Sequence, residues 1–331
     1  MIPPDVLRPP AAGDPAAAAY KDWLHLNLFD HERDTVGLVN ISIHGRPGSP
    51  ETQVVTAALF DAGYGGWAGD ITSASWAQAA VSLTGLSTRT SSIAMVGDTV
   101  VAGVTGDVTR VRVTAAPAVE AEQIPTTRAF GTGWIGWRLV PRMRADGWID
   151  AGGTRHPGPF DAYHDHTWGR WHWGDDIGWE WGTFMAGPGS GSGAGVVLAR
   201  TTTRSHRDAA PFTVVLDVDG ERRRFGGARV RVVRGSAAPA PVCRLPGALA
   251  ALHADRRRPR LPGTLSLTAR SGDDLVELEF TCRAVAQLIL ADPVRAGYSF
   301  LHELSGHFAA QARVSGRTRS FEGLGIVEFL S

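Results

Sequence analysis

Lysine and cysteine are nearly missing from this chain. Among its 331 residues Lys21 is the one lysine, so arginine carries the positive charge, and Cys243 and Cys282 are the two cysteines. They lie far apart with no C-x-x-C spacing, which indicates neither a disulfide framework nor a thiolate zinc site and points to a reduced, cytoplasmic protein. Neither charge is in excess, because Lys+Arg and Asp+Glu both number 33. A neutral chain advertises no nucleic-acid partner and no anionic membrane. No window approaches the ~20 consecutive apolar residues that cross a bilayer. No transmembrane segment is therefore expected, and membrane contact is left to transient substrate uptake. Residues 1–19, rich in Pro and Ala, have no basic start followed by an apolar run, and read as a flexible arm rather than a signal peptide. There is no Gly-x-Ser-x-Gly elbow and no dinucleotide fingerprint, and Gly189-Ser190-Gly191-Ser192-Gly193 lacks the lysine and the helix of a phosphate cradle. Serine hydrolysis and hydride transfer are disfavoured, and no cofactor is expected.

A helical period is almost absent too; the candidates are a turn around Ser75 to Ala80 and the segment Leu245 to Ala254. What the chain has is short alternating or β-branched runs punctuated by Gly, Pro and Asp. Trp23 to Phe29, Val36 to His44, Val54 to Phe60, Ile93 to Val104 and Val108 to Val113 read as strands, and so do Trp179 to Ala186, Val196 to Thr203 and Phe212 to Val218. Leu265 to Ala269, Leu275 to Arg283, Phe308 to Val314 and Gly325 to Leu330 continue the rhythm. The fold class is all-β. Closing a sheet of about eight strands removes its edges and leaves room for one ligand, and this length holds two such barrels, residues 20–155 and 156–331. Both halves open on a Trp-led strand, Trp23-Leu24-His25 and Trp179-Glu180-Trp181, which hints at duplication of one unit. Asp255 to Arg260 forms a basic loop, read as a solvated face.

Chemistry concentrates between Phe160 and Phe184, where five of the eleven tryptophans accompany His164, Asp165, His166, His172, Asp175, Asp176 and Glu180. On a strand alternate side chains share a face, so Tyr163, Asp165 and Thr167 point one way and His164, His166 and Trp168 the other. Asp165 beside Tyr163 in an aromatic cavity would keep its proton near neutral pH and act as a general acid; the competing reading is a hydrogen-bonded structural carboxylate. His164-x-His166 is also a metal spacing, and Gly158-x5-His164-x-His166 opens like a cupin motif. Arg170 and Trp171 stand where that motif needs a glutamate, so no metal is expected and the histidines hydrogen-bond within the core. Trp168, Trp171, Trp173, Trp179 and Trp181 serve either as core or as a wall that stabilises a cation by ~0.5–2 kcal/mol per desolvated ring. Glu180, with Phe184 on its strand face, is a second acid/base candidate.

Tyr163-His164-Asp165-His166-Thr167-Trp168-Gly169 resembles the Tyr-His-Asp-His-Asn-Trp-Gly segment of the carotenoid 1,2-hydratase (hydroxyneurosporene synthase, CrtC-like) and AttH-like superfamily of tandem lipocalin proteins. The likeness extends loosely to the strand at Trp23 and to Gly323-Leu324-Gly325-Ile326-Val327-Glu328-Phe329. It implies two lipocalin-like barrels side by side, a hydrophobic ligand site in or between them and no redox cofactor. It further implies Asp165 as proton donor, His164 and His166 orienting it, and Tyr163 and Trp168 lining a pocket with Trp23 and His25. Thr167 replaces the family's asparagine, which puts the substrate in question. The expectation is a cofactor-independent, proton-initiated cyclase, isomerase or hydratase acting on a hydrophobic terpenoid or polyene. Two alternatives stay open: a pericyclase that only folds a polyene, and a non-catalytic lipid or pigment binder.

Overall fold

The computed structural model describes residues 5–331 apart from 12, 63–65, 125–127, 131–132, 191–192, 239–241 and 246–260. Among the described residues the chain is all-β with four short 3-10 turns and no α-helix, and no helix is long and apolar enough to cross a membrane. The helix expected over Leu245 to Ala254 and the basic loop at Asp255 to Arg260 lie outside the described residues, except that Leu245 ends a strand. The turn expected at Ser75 is a 3-10 turn, Trp76–Gln78, started by a Ser75–Gln78 capping box.

Two barrel-like sheets stand in tandem, one nearly closed and the other a half-barrel. The first runs from the Trp67–Ser75 edge through Gln53–Asp61, Thr35–His44, Tyr20–Asp30, Phe160–Arg170 and Gly133–Ala151 to Thr109–Pro117 and beyond. The second runs from Glu221–Gly226 through Thr213–Val218, Ala194–Thr202, Gly178–Ala186, Arg317–Leu330 and Tyr298–Val314 to Asp274–Ala291 and beyond. In each, a meander of four strands is tied back by pairing its first strand with the last of the sheet: Tyr20–Asp30 with Phe160–Arg170, and Gly178–Ala186 with Arg317–Leu330. The repeated connectivity gives the Trp-led strands equivalent places in the two sheets.

Three expectations need correction. Phe160–Arg170 pairs with Tyr20–Asp30 and Gly133–Ala151 in the first sheet, so the change of sheet falls between Arg170 and Gly178 and not at residue 155. Its alternate residues Phe160 and Ala162 join the first barrel's core with Leu24, Leu26 and Leu28, and that partnership over some 140 residues leaves no local trace in the sequence. The described part of the N-terminal segment is docked: Leu7 and Ala17 are buried, the Leu7 N–H donates to the Leu83 carbonyl at 2.7 Å, and Asp5 reaches into the barrel. Ile93 to Val104 is two strands, Ser91–Val96 and Thr99–Thr105, split at Gly97, whose φ of +64° suits glycine.

Each barrel has its own apolar core, and a third cluster joins them. Leu38, Tyr163, Trp171, Trp179, Ile326 and Leu330 belong to it, drawn from both sheets. The Gly178–Ala186 strand is buried on both faces: Trp179, Trp181 and Met185 face the partner sheet, while Phe184 and Ala186 enter the second barrel.

Candidate active site between the two barrels

Between the sheets lies a cavity of about 130 Å³, close to the ~150 Å³ cavity that holds a benzene molecule in an engineered protein core. Trp23, Trp137, Trp173, Trp179 and Trp181 line it, with His25, His44, Asp165, Thr167, Glu303 and Glu328 as polar members. The first sheet delivers Trp23 and His25 from Tyr20–Asp30 and Asp165 and Thr167 from Phe160–Arg170. The second delivers Trp179 and Trp181, Glu303 and Glu328. The indoles brace one another: Trp23 and Trp171 meet edge-on at 5.6 Å and 88°, and Trp171 meets Trp173 and Trp179 edge-on, each at 5.8 Å. Such pairs add ~0.5–1.5 kcal/mol beyond their buried area.

Asp165 is at the centre of a hydrogen-bonded row. Tyr163 Oη donates to Asp165 Oδ2 at 2.8 Å and Thr167 Oγ1 donates to Oδ1 at 3.0 Å, both from positions two residues away on the same strand face. The threonine that stands in the asparagine position of the motif therefore supplies a hydroxyl donor to this carboxyl group. His25 and His44 are neutral bases. Burial pushes His25 below its ordinary range; burial and the Lys21 ammonium push His44 down to about 3. Trp173 Nε1 donates to His44 Nδ1 at 3.2 Å, marking that nitrogen as the unprotonated one. Lys21 is fully buried, its Nζ donating to the Trp171 carbonyl at 2.9 Å, and burial pushes it down to about 8 against the pull of Asp292 and Asp175.

The structure brings Asp165, Glu180, Trp23, His25, Trp173, Trp179 and Trp181 to the cavity. It sends the other expected residues elsewhere. His164 and His166 face the interior of the first barrel, because strand alternation turns them away from Asp165. His164 Nε2 meets Asp5 Oδ2 at 2.9 Å, and His166 lies between Asp5 and Asp22, at 2.7 Å from each. Burial would lower the pKa of His166, but the hydrogen bonds and charges of Asp22 and Asp5 outweigh it and raise it to about 9; this is a buried imidazolium clamped by two carboxylates. Trp168 follows the same face, 5.0 Å from the His166 ring with Arg8 stacked on it at 4.0 Å. Tyr163 and Trp171 back the wall without lining the cavity, and Phe184 packs on Phe280 and Phe308 in the second barrel. Glu180 reaches the cavity's edge but is engaged by Arg200, Arg234 and His206. Burial works to raise its pKa, and these three partners bring it down to about 2, a state unsuited to proton donation.

Trp137, His44, Glu303 and Glu328 were not read from the sequence. For Glu328 a signal was present, a lone carboxylate inside Gly325-Ile326-Val327-Glu328-Phe329-Leu330. Such a charge in an apolar strand must have a partner or a proton.

No family model matches the chain, and no curated protein sequence does either. Solved structures do. An AttH protein from Nitrosomonas europaea superposes with a TM-score of 0.64 at 14% identity, over 98% of this chain and 99% of that one. Kievitone hydratase from Nectria haematococca gives 0.61 at 13% identity, over 97% and 93%. CghA bound to Sch210972 gives 0.63 at 12% identity, over 95% and 89%. The chain thus shares along its whole length the tandem lipocalin-like fold of these three proteins.

Proposed function

We propose that the chain is a cofactor-independent enzyme that adds a proton to an unsaturated hydrophobic substrate, as a hydratase or a cyclase. The observation that carries this is one cavity combining five indoles with carboxyl groups on both walls. Indole faces stabilise a carbocation, and carboxyl groups move the protons that make and quench it. Shared architecture with a protein named as a hydratase agrees with this reading. A volume near that of one benzene ring suits the terminal isoprenoid unit of a substrate better than a whole polyene. Asp165 is the carboxyl group we place at the reacting carbon, held by Tyr163 and Thr167.

The test is a mass-spectrometric product assay in deuterated water with a panel of acyclic terpenoids and prenylated aromatics, for the purified chain and for Asp165→Asn. We expect carbon-bound deuterium in the product, with added water marking hydration and an unchanged formula marking cyclisation. Loss of a proton-transferring group costs ~10²–10⁴-fold in rate, so Asp165→Asn should fall by that order. The apolar indole wall favours one other reading, a pericyclase; deuterium-free product formed equally by the variant would establish it. Copurification of an unchanged ligand with no turnover would mark a binding protein.

A further inference from the structure

Glu303 and Glu328 are directly opposite one another on neighbouring strands, Tyr298–Val314 and Arg317–Leu330. Both line the cavity. Glu303 is 2% exposed, and its Oε2 has no hydrogen-bond partner among the described residues; Glu328 accepts a hydrogen bond from Trp179 Nε1, on the cavity wall. No arginine, lysine or histidine forms an ion pair with either among the described residues, whereas Glu180, on the adjacent strand, is held by Arg200, Arg234 and His206. Two buried carboxylates facing one another across a strand pair without a cation cannot both ionise, so the pair keeps a proton. The titratable groups around them agree. His25 and His44 across the cavity are neutral, Arg200 is spent on Glu180, and Asp165 on the facing wall adds negative charge. Burial, followed by the charge and hydrogen bond of Glu328, holds Glu303 well above the usual carboxyl range; burial, only partly offset by Glu303 and Trp179, pushes Glu328 up to about 7.

We propose that the Glu303–Glu328 pair is the proton donor of this cavity and Asp165, on the opposite barrel, the proton acceptor. The assignment rests on the proton-transfer reading of the cavity and gives it direction. A carboxyl proton of the pair passes to one alkene carbon, the π electrons form the new C–H bond, and the neighbouring carbon becomes a cation facing the indoles. In hydration a water oxygen bonds to that carbon and its surplus proton goes to Asp165, whose oxygens are already held as acceptors by Tyr163 and Thr167. In cyclisation a second alkene closes the ring and a C–H proton goes to Asp165. The pair ends one proton poorer and Asp165 one richer, and exchange with solvent restores both.

Infrared spectroscopy of the intact protein in water and deuterated water, across pH 5 to 9, reads the pair without any substrate. A carboxylic-acid carbonyl band that shifts on deuteration, loses part of its intensity as pH rises through about 7 while the rest persists, and is missing in Glu303→Gln/Glu328→Gln supports the pair. Its absence from the wild type overturns the pair whatever the activity. On a turned-over substrate, each single Gln variant should lose on the order of 10²-fold in rate. The wild-type rate should fall above pH ~7, and Glu303→Leu should shift that alkaline limb to higher pH, because the hydrogen bond by which the Glu303 carboxyl offsets the burial of Glu328 is gone; a packing role would not move it. Unchanged rates and pH profile in folded single variants overturn the donor role. Turnover of no substrate, with the band present, overturns instead the catalytic reading on which the donor role rests.

Discussion

At the scale of single residues, the same short motif does two separate jobs because a strand has two faces. Asp165 and Thr167 look into the cavity, while His164 and His166 look into the first barrel and hold it together. His166 carries a testable consequence. Its folded pKa of about 9 lies above the ordinary ~6.5. Its contribution is therefore complete below pH ~6.5 and is lost as pH rises through about 9, a fall of roughly 2–4 kcal/mol. Denaturant titration at pH 6 and pH 9.5 should show the difference, and His166→Phe should abolish that part of it. His166→Ala should lose about 3–5 kcal/mol at pH 6, since Asp22 is left buried without its cation. The Glu303–Glu328 pair has the opposite value for stability. Carboxyls whose pKa is raised on folding weaken the fold once pH exceeds their unfolded value, so Glu303→Gln should melt about 2–4 °C higher than wild type at pH 8.

At the scale of elements, the N-terminal segment plugs the first barrel. Asp5 meets His164 and His166, and Arg138 at 3.5 Å, while the Arg8 N–H donates to Asp22 at 2.7 Å. Deleting residues 1–8 should cost about 3–5 kcal/mol by uncovering those groups and Leu7, read as a lowered melting temperature; an unchanged melt would show the segment to be loosely attached. Close approach of elements also explains the glycine that ends the motif. A Cβ on Gly169 would lie 2.2 Å from the Trp134 carbonyl oxygen and 2.5 Å from Trp171 Cζ3, so Gly169→Ala must push apart the strand or the indole cluster.

At the scale of the whole molecule, the third apolar cluster makes the two barrels interdependent. Trp179 and Leu288 cluster with Leu38, Tyr163 and Trp171, and a half produced alone, residues 1–172 or 173–331, would expose its side of that cluster. We expect each half to aggregate or to bind a hydrophobic dye, and the two together to recover native tryptophan fluorescence; a monodisperse half with a native melt would refute that dependence. The all-β class, most strand positions and the opposite faces of Asp165 and His166 were legible in the sequence, since each follows from a two-residue period. The destination of each face was not. Whether a strand face meets a barrel core, a docked N-terminal segment or a facing barrel depends on pairing between residues more than a hundred positions apart. Tertiary structure alone therefore turned Phe184 and Trp168 away from the cavity and set the hairpin partners Glu303 and Glu328 on a face opposed to the other barrel, where burial without a counter-charge changes what a glutamate can do.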